Sequence, residues 1–332
     1  IDSKYEKCQN NSEIRLFDNY SAILVSGCTN MTFRDGSMND SIGIYDSDHI
    51  DMYNLSGVSY IHLSPVNHIS MRNISGSILA ILISGNNIRV SNITAQFFSI
   101  SLADNVTLRN VKDNHIKFDS HSTIDTNSND IRIEQSDFNY NLTIESSNVT
   151  ILQSDISGNL TCDECRNLSV ISSNISNEPI MLSSGSHIPA VFLLNTTIME
   201  VQVTGGSSGS VVVANYLDTY VNYTNGTPVS EAVNAYNSSD ILAASNATNP
   251  SGYARLVLPH MTYNYSTINT TVTHSNYTIN ITDGTYTNQT TVNMSTSSGI
   301  QLFLPAPATY CDHYCYNCSN CTDVIAASST NE

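Results

Sequence analysis

The 332-residue sequence has no tryptophan, and only 12 Lys and Arg stand against 29 Asp and Glu. A nucleic-acid surface needs clustered cations to neutralise phosphates. Here the twelve basic residues are dispersed along a chain of net charge −17 and pI near 4.6, which excludes that class. Long apolar runs are lacking too. The longest, 78–83 and 188–194, fall far short of the roughly 18–20 residues that a spanning helix needs. No helix start signal leads into a sustained 3.6-residue pattern, and no Gly-rich phosphate loop, nucleophile elbow or CxxCH motif occurs. Only 12% of residues are charged, yet Ile, Val, Leu and Tyr are plentiful, so the composition is that of a folded chain long enough for two cores.

What is abundant is Asn, Ser and Thr. The spacing Asn-x-Ser/Thr, x not Pro, occurs at Asn10, Asn19, Asn30, Asn39, Asn54, Asn73, Asn92, Asn105, Asn141, Asn148, Asn159, Asn167 and Asn174. It recurs at Asn195, Asn222, Asn225, Asn237, Asn246, Asn264, Asn269, Asn276, Asn280, Asn288, Asn293, Asn317 and Asn320. Random placement of the Ser and Thr would give roughly ten such sites among 40 Asn. The excess points to N-glycosylation on solvent-facing turns of an exported chain, with sugars rather than charges keeping the surface soluble. The sequence opens on Ile1 with no charged-then-apolar leader, which reads as a product whose signal peptide has been removed. An even set of eight cysteines fits an oxidising compartment.

Over the first two hundred residues one phrase returns: polar, aliphatic, polar, aliphatic, polar, often Asn. Its first aliphatic falls at 31, 50, 69, 88, 106, 131, 149, 168 and 188, in steps of 18–20 with one of 25. A second alternating phrase lies between the copies, as in Ile42-Gly43-Ile44, Tyr60-Ile61-His62-Leu63, Phe98-Ser99-Ile100, Ile116-Lys117-Phe118 and Leu142-Thr143-Ile144. Period-two alternation in short segments separated by polar turns predicts strands, and a fixed step near 19 predicts a solenoid of stacked coils. Asn54, Asn73 and Asn92 recur in register and predict a ladder at one corner, where Asn tolerates left-handed backbone. Each also lies in a sequon, so turn geometry and glycosylation are both readings of the ladder.

These repeats, over residues 12–205, resemble the pectin-lyase-like right-handed parallel β-helix, especially the repeats of archaeal exported surface proteins. The resemblance implies an all-β chain with a parallel β-helix over 1–205. After Gly205–Gly209, a flexible-looking break, the period changes, and several short strands suggest an antiparallel sandwich over 206–304. Gly226-Thr227-Pro228-Val229-Ser230 and Ser251-Gly252-Tyr253-Ala254 resemble carboxypeptidase-regulatory-like, immunoglobulin-type modules, with Glu231 where Gly is usual. Such modules are spacers or assembly units. Residues 305–332 form a Cys-rich tail.

Cys8 and Cys28 flank the first strands and are expected to close the start of the rod. Cys162 and Cys165 sit in a β turn, which favours a local disulfide over thioredoxin-like chemistry. In the tail, Cys311, Cys315, Cys318 and Cys321 with His313 form either disulfides, the reading favoured for an exported chain, or a tetrahedral metal site. The segment 109–132 carries Lys112, Asp113, His115, Lys117, Asp119, His121, Asp125 and Asp130 where the step stretches to 25. It reads as a solvated insertion, with a carboxylate-based glycosidase or Ca²⁺ site as the alternative. Asp46, Asp48 and Asp51 likewise read as a solvated turn, with Ca²⁺ the alternative.

The expectation is a non-enzymatic, heavily N-glycosylated extracellular protein with no cofactor. It partners itself, with no nucleic acid and no membrane span, and assembles end to end into a filament, sheath or layer. The alternatives are a carbohydrate-active β-helix enzyme or a receptor-binding spike or adhesin.

Overall fold

A computed structural model describes residues 2–6, 12–15, 20–76, 80–95, 97–113, 122–139, 142–163, 167–175, 177–183, 190–204, 209–265, 270–274 and 276–307. All regular structure among them is β. The chain winds into a β-solenoid with coils of about 19 residues, and successive coils pair in parallel. The register along one row runs Ile50, Ile69, Ile88, Val106, Ile131, Val149, Leu168, Val191 and Val211. This is a parallel β-helix, and it follows from the sequence pattern: an isolated coil cannot bury its aliphatic side, whereas a stack closes one column.

Each coil has three faces. In the coil of Tyr60–Ser75, residues 60–64 form the first, 69–72 the second and 74–75 the third. Leu55, Ile74, Ile93 and Val111 stack on the third face, continued by Asp137–Phe138, Asp155–Ile156, Asn174–Ile175 and Thr197–Ile198. The two alternating sequence phrases cover the first two faces and not this one. Its signature was visible late in the helix as Gln135-Ser136-Asp137-Phe138, Gln153-Ser154-Asp155-Ile156 and Ser172-Ser173-Asn174-Ile175. The serine is the reason. Ser136, Ser154 and Ser173 are buried, and each hydroxyl accepts the backbone N–H of the coil before it: Val111 N to Ser136, Ser136 N to Ser154, and Ser154 N to Ser173, at 3.1–3.2 Å. Each also donates to the carbonyl two residues earlier, so buried polar groups at this corner are satisfied within the stack.

Two expected rungs are corrected. Leu168 pairs with Val191, not Ile188, so this coil has 23 residues rather than 20. Val191 is buried in the column, and the extra residues fall in 184–189, outside the described residues. In the long coil, Ser99 and Ile100 pair with Thr123 and Ile124, so 122–124 takes the rung assigned to 116–118. Residues 114–121 also lie outside the described residues.

The column of Ile, Val, Leu and Met runs from Ile23 to Val211. The strand Gly209–Tyr223 then serves two bodies. Its first part, 210–214, pairs in parallel with Ala190–Leu194 as a further rung. Its later part pairs in parallel with Ser298–Leu304, and residues 209–220 run antiparallel to Tyr253–Tyr265. A bulge at Val213/Ala214 marks the change. A four-stranded antiparallel sheet of Leu242–Ala247, Ala232–Tyr236, Asn276–Thr282 and Thr287–Asn293 is the second sheet of this body. Leu217, Val221, Val233, Leu256, Tyr277, Ile279 and Ile281 form a second core. The two cores therefore meet within one strand, between Val211 and Leu217.

Because each rung touches only its neighbours, a cavity in the column stays local and uncompensated. Ile69→Ala is expected to lower unfolding free energy by about 3 kcal/mol, whereas Ser70→Ala, half-buried on the outer side of the same rung, changes it by less than about 0.5 kcal/mol. Urea unfolding of both variants checks this.

Candidate functional site

The second face is bounded by two corners that run the length of the helix, and both are built from left-handed residues. Before the face stand Asn30, His49, His68, Asn87, Asn105, Asp130 and Asn148, each with φ of 54–57°. After it stand Asp35, Asn54, Asn73, Asn92, Asn110, Gln135, Gln153, Ser172 and Asn195, all with positive φ. A single left-handed residue turns the chain without interrupting the pairing on either side. Asn, Asp and His are among the non-glycine types that tolerate it best.

The amides also bond to one another up the stack. Asn54 Nδ2 donates to Asp35 Oδ1 at 2.8 Å, Asn73 to Asn54 at 3.0 Å, Asn92 to Asn73 at 2.9 Å and Asn110 to Asn92 at 2.8 Å. At the other corner Asn105 donates to Asn87 at 2.7 Å and Asn167 to Asn148 at 2.9 Å. The expected ladder of Asn54, Asn73 and Asn92 is therefore present as a chain of amide hydrogen bonds.

This separates the sequons into geometric groups. In Asn54, Asn73, Asn92, Asn105 and Asn167 the Nδ2 atom, to which a glycan would attach, already donates to a neighbouring coil. Asn246 and Asn288 donate theirs to the carbonyls of Arg255 and Phe303, and Asn195 lies 3.4 Å from Ser172 Oγ. In Asn225, Asn237 and Asn293 it is Oδ1 that is held, accepting the N–H of the Thr or Ser two residues on at 2.9–3.0 Å. Oδ1 is fixed by a local turn there, and the exposed Asn225 and Asn293 present their amides to solvent. Asn30, Asn148, Asn174 and Asn276 are exposed, and Asn159, Asn222, Asn264 and Asn280 are half-buried. Asn39 lies in the strand Thr29–Ser56. Asn10, Asn19, Asn141, Asn269, Asn317 and Asn320 lie outside the described residues.

Between the corners the outer side chains include a row of arginines. Arg15 is in register with Arg34, Tyr53 with Arg72, and Arg109 follows on the same row beyond Ser91. Arg89 and Arg132 stand on the adjacent row with Thr107 between them. Arg34, Arg72, Arg89, Arg109 and Arg132, five of the twelve basic residues, thus share one face of an acidic protein, although they are dispersed in sequence. Arg34 pairs with Glu13 and Arg132 with Glu134. Arg72 lies over the Tyr53 ring at 4.6 Å, and Arg109 Nε donates to Gln135 at 3.2 Å. An open groove on this face is lined by His49, Asp51, His68, Arg89, Asn105 and Thr107. Where the face meets the second body, Arg255 forks onto Asp218 through Nε and Nη2 at 2.7 and 3.0 Å. That hydrogen bond from Arg255 holds the Asp218 carboxyl below its ordinary range.

The groups proposed as Ca²⁺ ligands do not converge. Asp48 is gathered with His49 and His68 rather than with Asp46 and Asp51. Burial pushes the Asp48 carboxyl up, but hydrogen bonds from His68 and His49 outweigh it and leave the group below its ordinary value. In the charged segment, Asp113 ends the strand Phe97–Asp113, opposite Phe138, while Asp125 and Asp130 lie in Ser122–Glu134. His115, Lys117, Asp119 and His121 lie outside the described residues. Cys28 is buried and partnered. Cys162 sits in Leu160–Asp163, and Cys8, Cys165, Cys311, Cys315, Cys318 and Cys321 lie outside the described residues, as does His313.

No protein-family model matches the chain, and no curated protein is similar to it.

The amide ladder makes a specific demand on each rung. Asn73→Ala removes two ladder bonds and places a Cβ residue without a polar side chain in left-handed backbone, and is expected to cost about 2 kcal/mol. Asn73→Gly removes the bonds but relieves the backbone, and is expected to cost about 1 kcal/mol. Denaturant midpoints of the two variants, read against wild type, test that order.

Proposed function

We propose that the chain is a structural, N-glycosylated surface protein that assembles end to end into a filament, sheath or layer. The observation that carries this reading is the first coil. Among the described residues, Asp2–Glu6 pairs only with Tyr20–Ser26, and Ser12–Arg15 only with Thr29–Ser56. These two strands form the outermost described coil, and an outermost coil is the kind of edge that strand addition uses. At the other end the strand Thr270–Thr273, exposed throughout, pairs only with Tyr253–Tyr265 among the described residues. It offers an edge to which the first coil of a neighbour can add.

Several features support export and glycosylation. The described sequon asparagines whose exposure is defined are all exposed or half-buried, and the Asx turns at Asn225 and Asn293 leave exposed amides. Sugars on the flanks would leave the ends as the polypeptide surfaces open to association. The buried Cys28 supports closure of the first coil by a disulfide to Cys8. The second body, with two sheets over one core, supports the immunoglobulin-type reading of 206–304 as a spacer or assembly unit, and the coil repeats support kinship with archaeal surface proteins. No described helix is long and apolar enough to cross a membrane. The arginine face favours a second reading, an adhesin or spike that binds an acidic ligand along this groove.

Electron microscopy of the native material decides between them. The assembly reading expects continuous filaments or layers, lost on deletion of residues 1–6, together with glycopeptides at Asn225 and Asn293 by mass spectrometry. Dispersed particles at every concentration, with sequons unmodified, would reject it.

A further inference from the structure

The corner before the second face carries Asn or Asp on every left-handed rung but two. The rungs around it carry Asn30, Asn87, Asn105, Asp130 and Asn148, whereas His49 and His68 occupy two consecutive rungs at φ 56° and 54°. Their rings stack face to face, with centroids 4.3 Å apart and planes inclined by 16°. Parallel stacking follows from the solenoid, which repeats the same backbone geometry one strand spacing higher, about 4.8 Å.

The residue before His49 completes the group. Asp48 Oδ2 lies 3.1 Å from His49 Nδ1, and its Oδ1 lies 2.9 Å from His68 Nδ1. Asp48 Oδ1 also accepts the backbone N–H of His49 at 3.0 Å, which fixes the carboxylate at the corner. Two imidazole nitrogens and one carboxylate oxygen thus lie within 4.8 Å of one another. The other ring nitrogen of His68, Nε2, faces the Asn87 Nδ2 at 3.4 Å.

The geometry points to a site for one divalent transition cation, of the Zn²⁺ class, held by Asp48, His49 and His68. The donor set decides the class. Imidazole nitrogen suits borderline cations such as Zn²⁺, Cu²⁺ and Ni²⁺, whereas Ca²⁺ and Mg²⁺ take all-oxygen sets. Three protein ligands leave further coordination positions, and the side chains are between 40% and 55% exposed, so water enters beside the ion. All three ligands hang on rungs of one hydrogen-bonded stack, so they are positioned before the ion arrives and the entropy lost on binding is small. Closing the ion onto both rings ties one coil to the next at the corner where amides do so elsewhere. Binding is therefore expected to stabilise the first coils.

The test uses the full chain titrated with ZnCl₂ by calorimetry, with thermal unfolding in parallel. The expected result is a saturable Zn²⁺ equivalent that raises the unfolding temperature and that CaCl₂ in tenfold excess does not displace. The paired substitution His49→Asn/His68→Gln puts an amide on both rungs, with Gln of the type that holds the left-handed corner at Gln135 and Gln153, and adds no sequon ahead of Ser70, so the fold is kept while both imidazoles are lost. It is expected to abolish that equivalent and the thermal shift. Asp48→Asn is expected to weaken binding at least tenfold, and His274→Ala, far along the chain in the second body, to leave it unchanged. The tail cysteines and His313 remain in every variant, so an equivalent bound there persists and is told apart. Equal Zn²⁺ stoichiometry and affinity in wild type and the paired His49→Asn/His68→Gln variant would overturn the assignment, as would no saturable binding by wild type.

Discussion

Parallel backbone pairing between successive coils is the constraint on which every other feature rests. For a coil to lie in register on the last, its three strand segments must turn twice without losing the ladder. The chain meets this with one left-handed residue at each of two corners, among them His49, Asn54, His68, Asn73, Asn87 and Asn92. Aliphatic residues then fall above one another, as Ile50, Ile69 and Ile88 do, and the column closes without a helix or sheet from elsewhere to cover it. The inner serines 136, 154 and 173 and the outer amide chain are answers to one problem. At a corner the backbone leaves the sheet direction, and side chains must take over the bonding that the ladder no longer supplies.

This constraint explains what was legible in the sequence. Inward aliphatics on a step near 19 are a one-dimensional signal, and the second-face register of residues 50 to 168 follows from it directly. The ladder at Asn54, Asn73 and Asn92 was visible for the same reason. The third face was harder to see because its strands are only two residues long, too short for alternation to show, and its marker is a buried serine that looks like a turn residue. Coil lengths failed where insertions enter. Pairing with Val191 rather than Ile188, or with Ile124 rather than a residue of 116–118, depends on which aliphatic reaches the column, and spacing alone does not settle that.

The surface was less legible than the core. Arg34, Arg72, Arg89, Arg109 and Arg132 are separated by 17 to 38 residues and look dispersed, yet two rows of one face collect them. Asp48, read with Asp46 and Asp51 as an acidic turn, instead meets a histidine from the next coil. A solenoid folds distant sequence onto itself at a fixed offset, so chemistry is read by comparing residues one coil apart, as 49 with 68, rather than neighbours. The sequon spacing behaves likewise: it is one local pattern, but Asn73 spends its amide on the coil below, while Asn225 holds its own turn.

The strand Gly209–Tyr223 belongs to both cores, and no hinge of loop residues intervenes along it. A pull along that strand loads its hydrogen bonds to Ala190–Leu194 and Ser298–Leu304 lengthwise, so many must slide together before either body yields. The junction is therefore suited to transmitting tensile force from one body to the other rather than to bending under it.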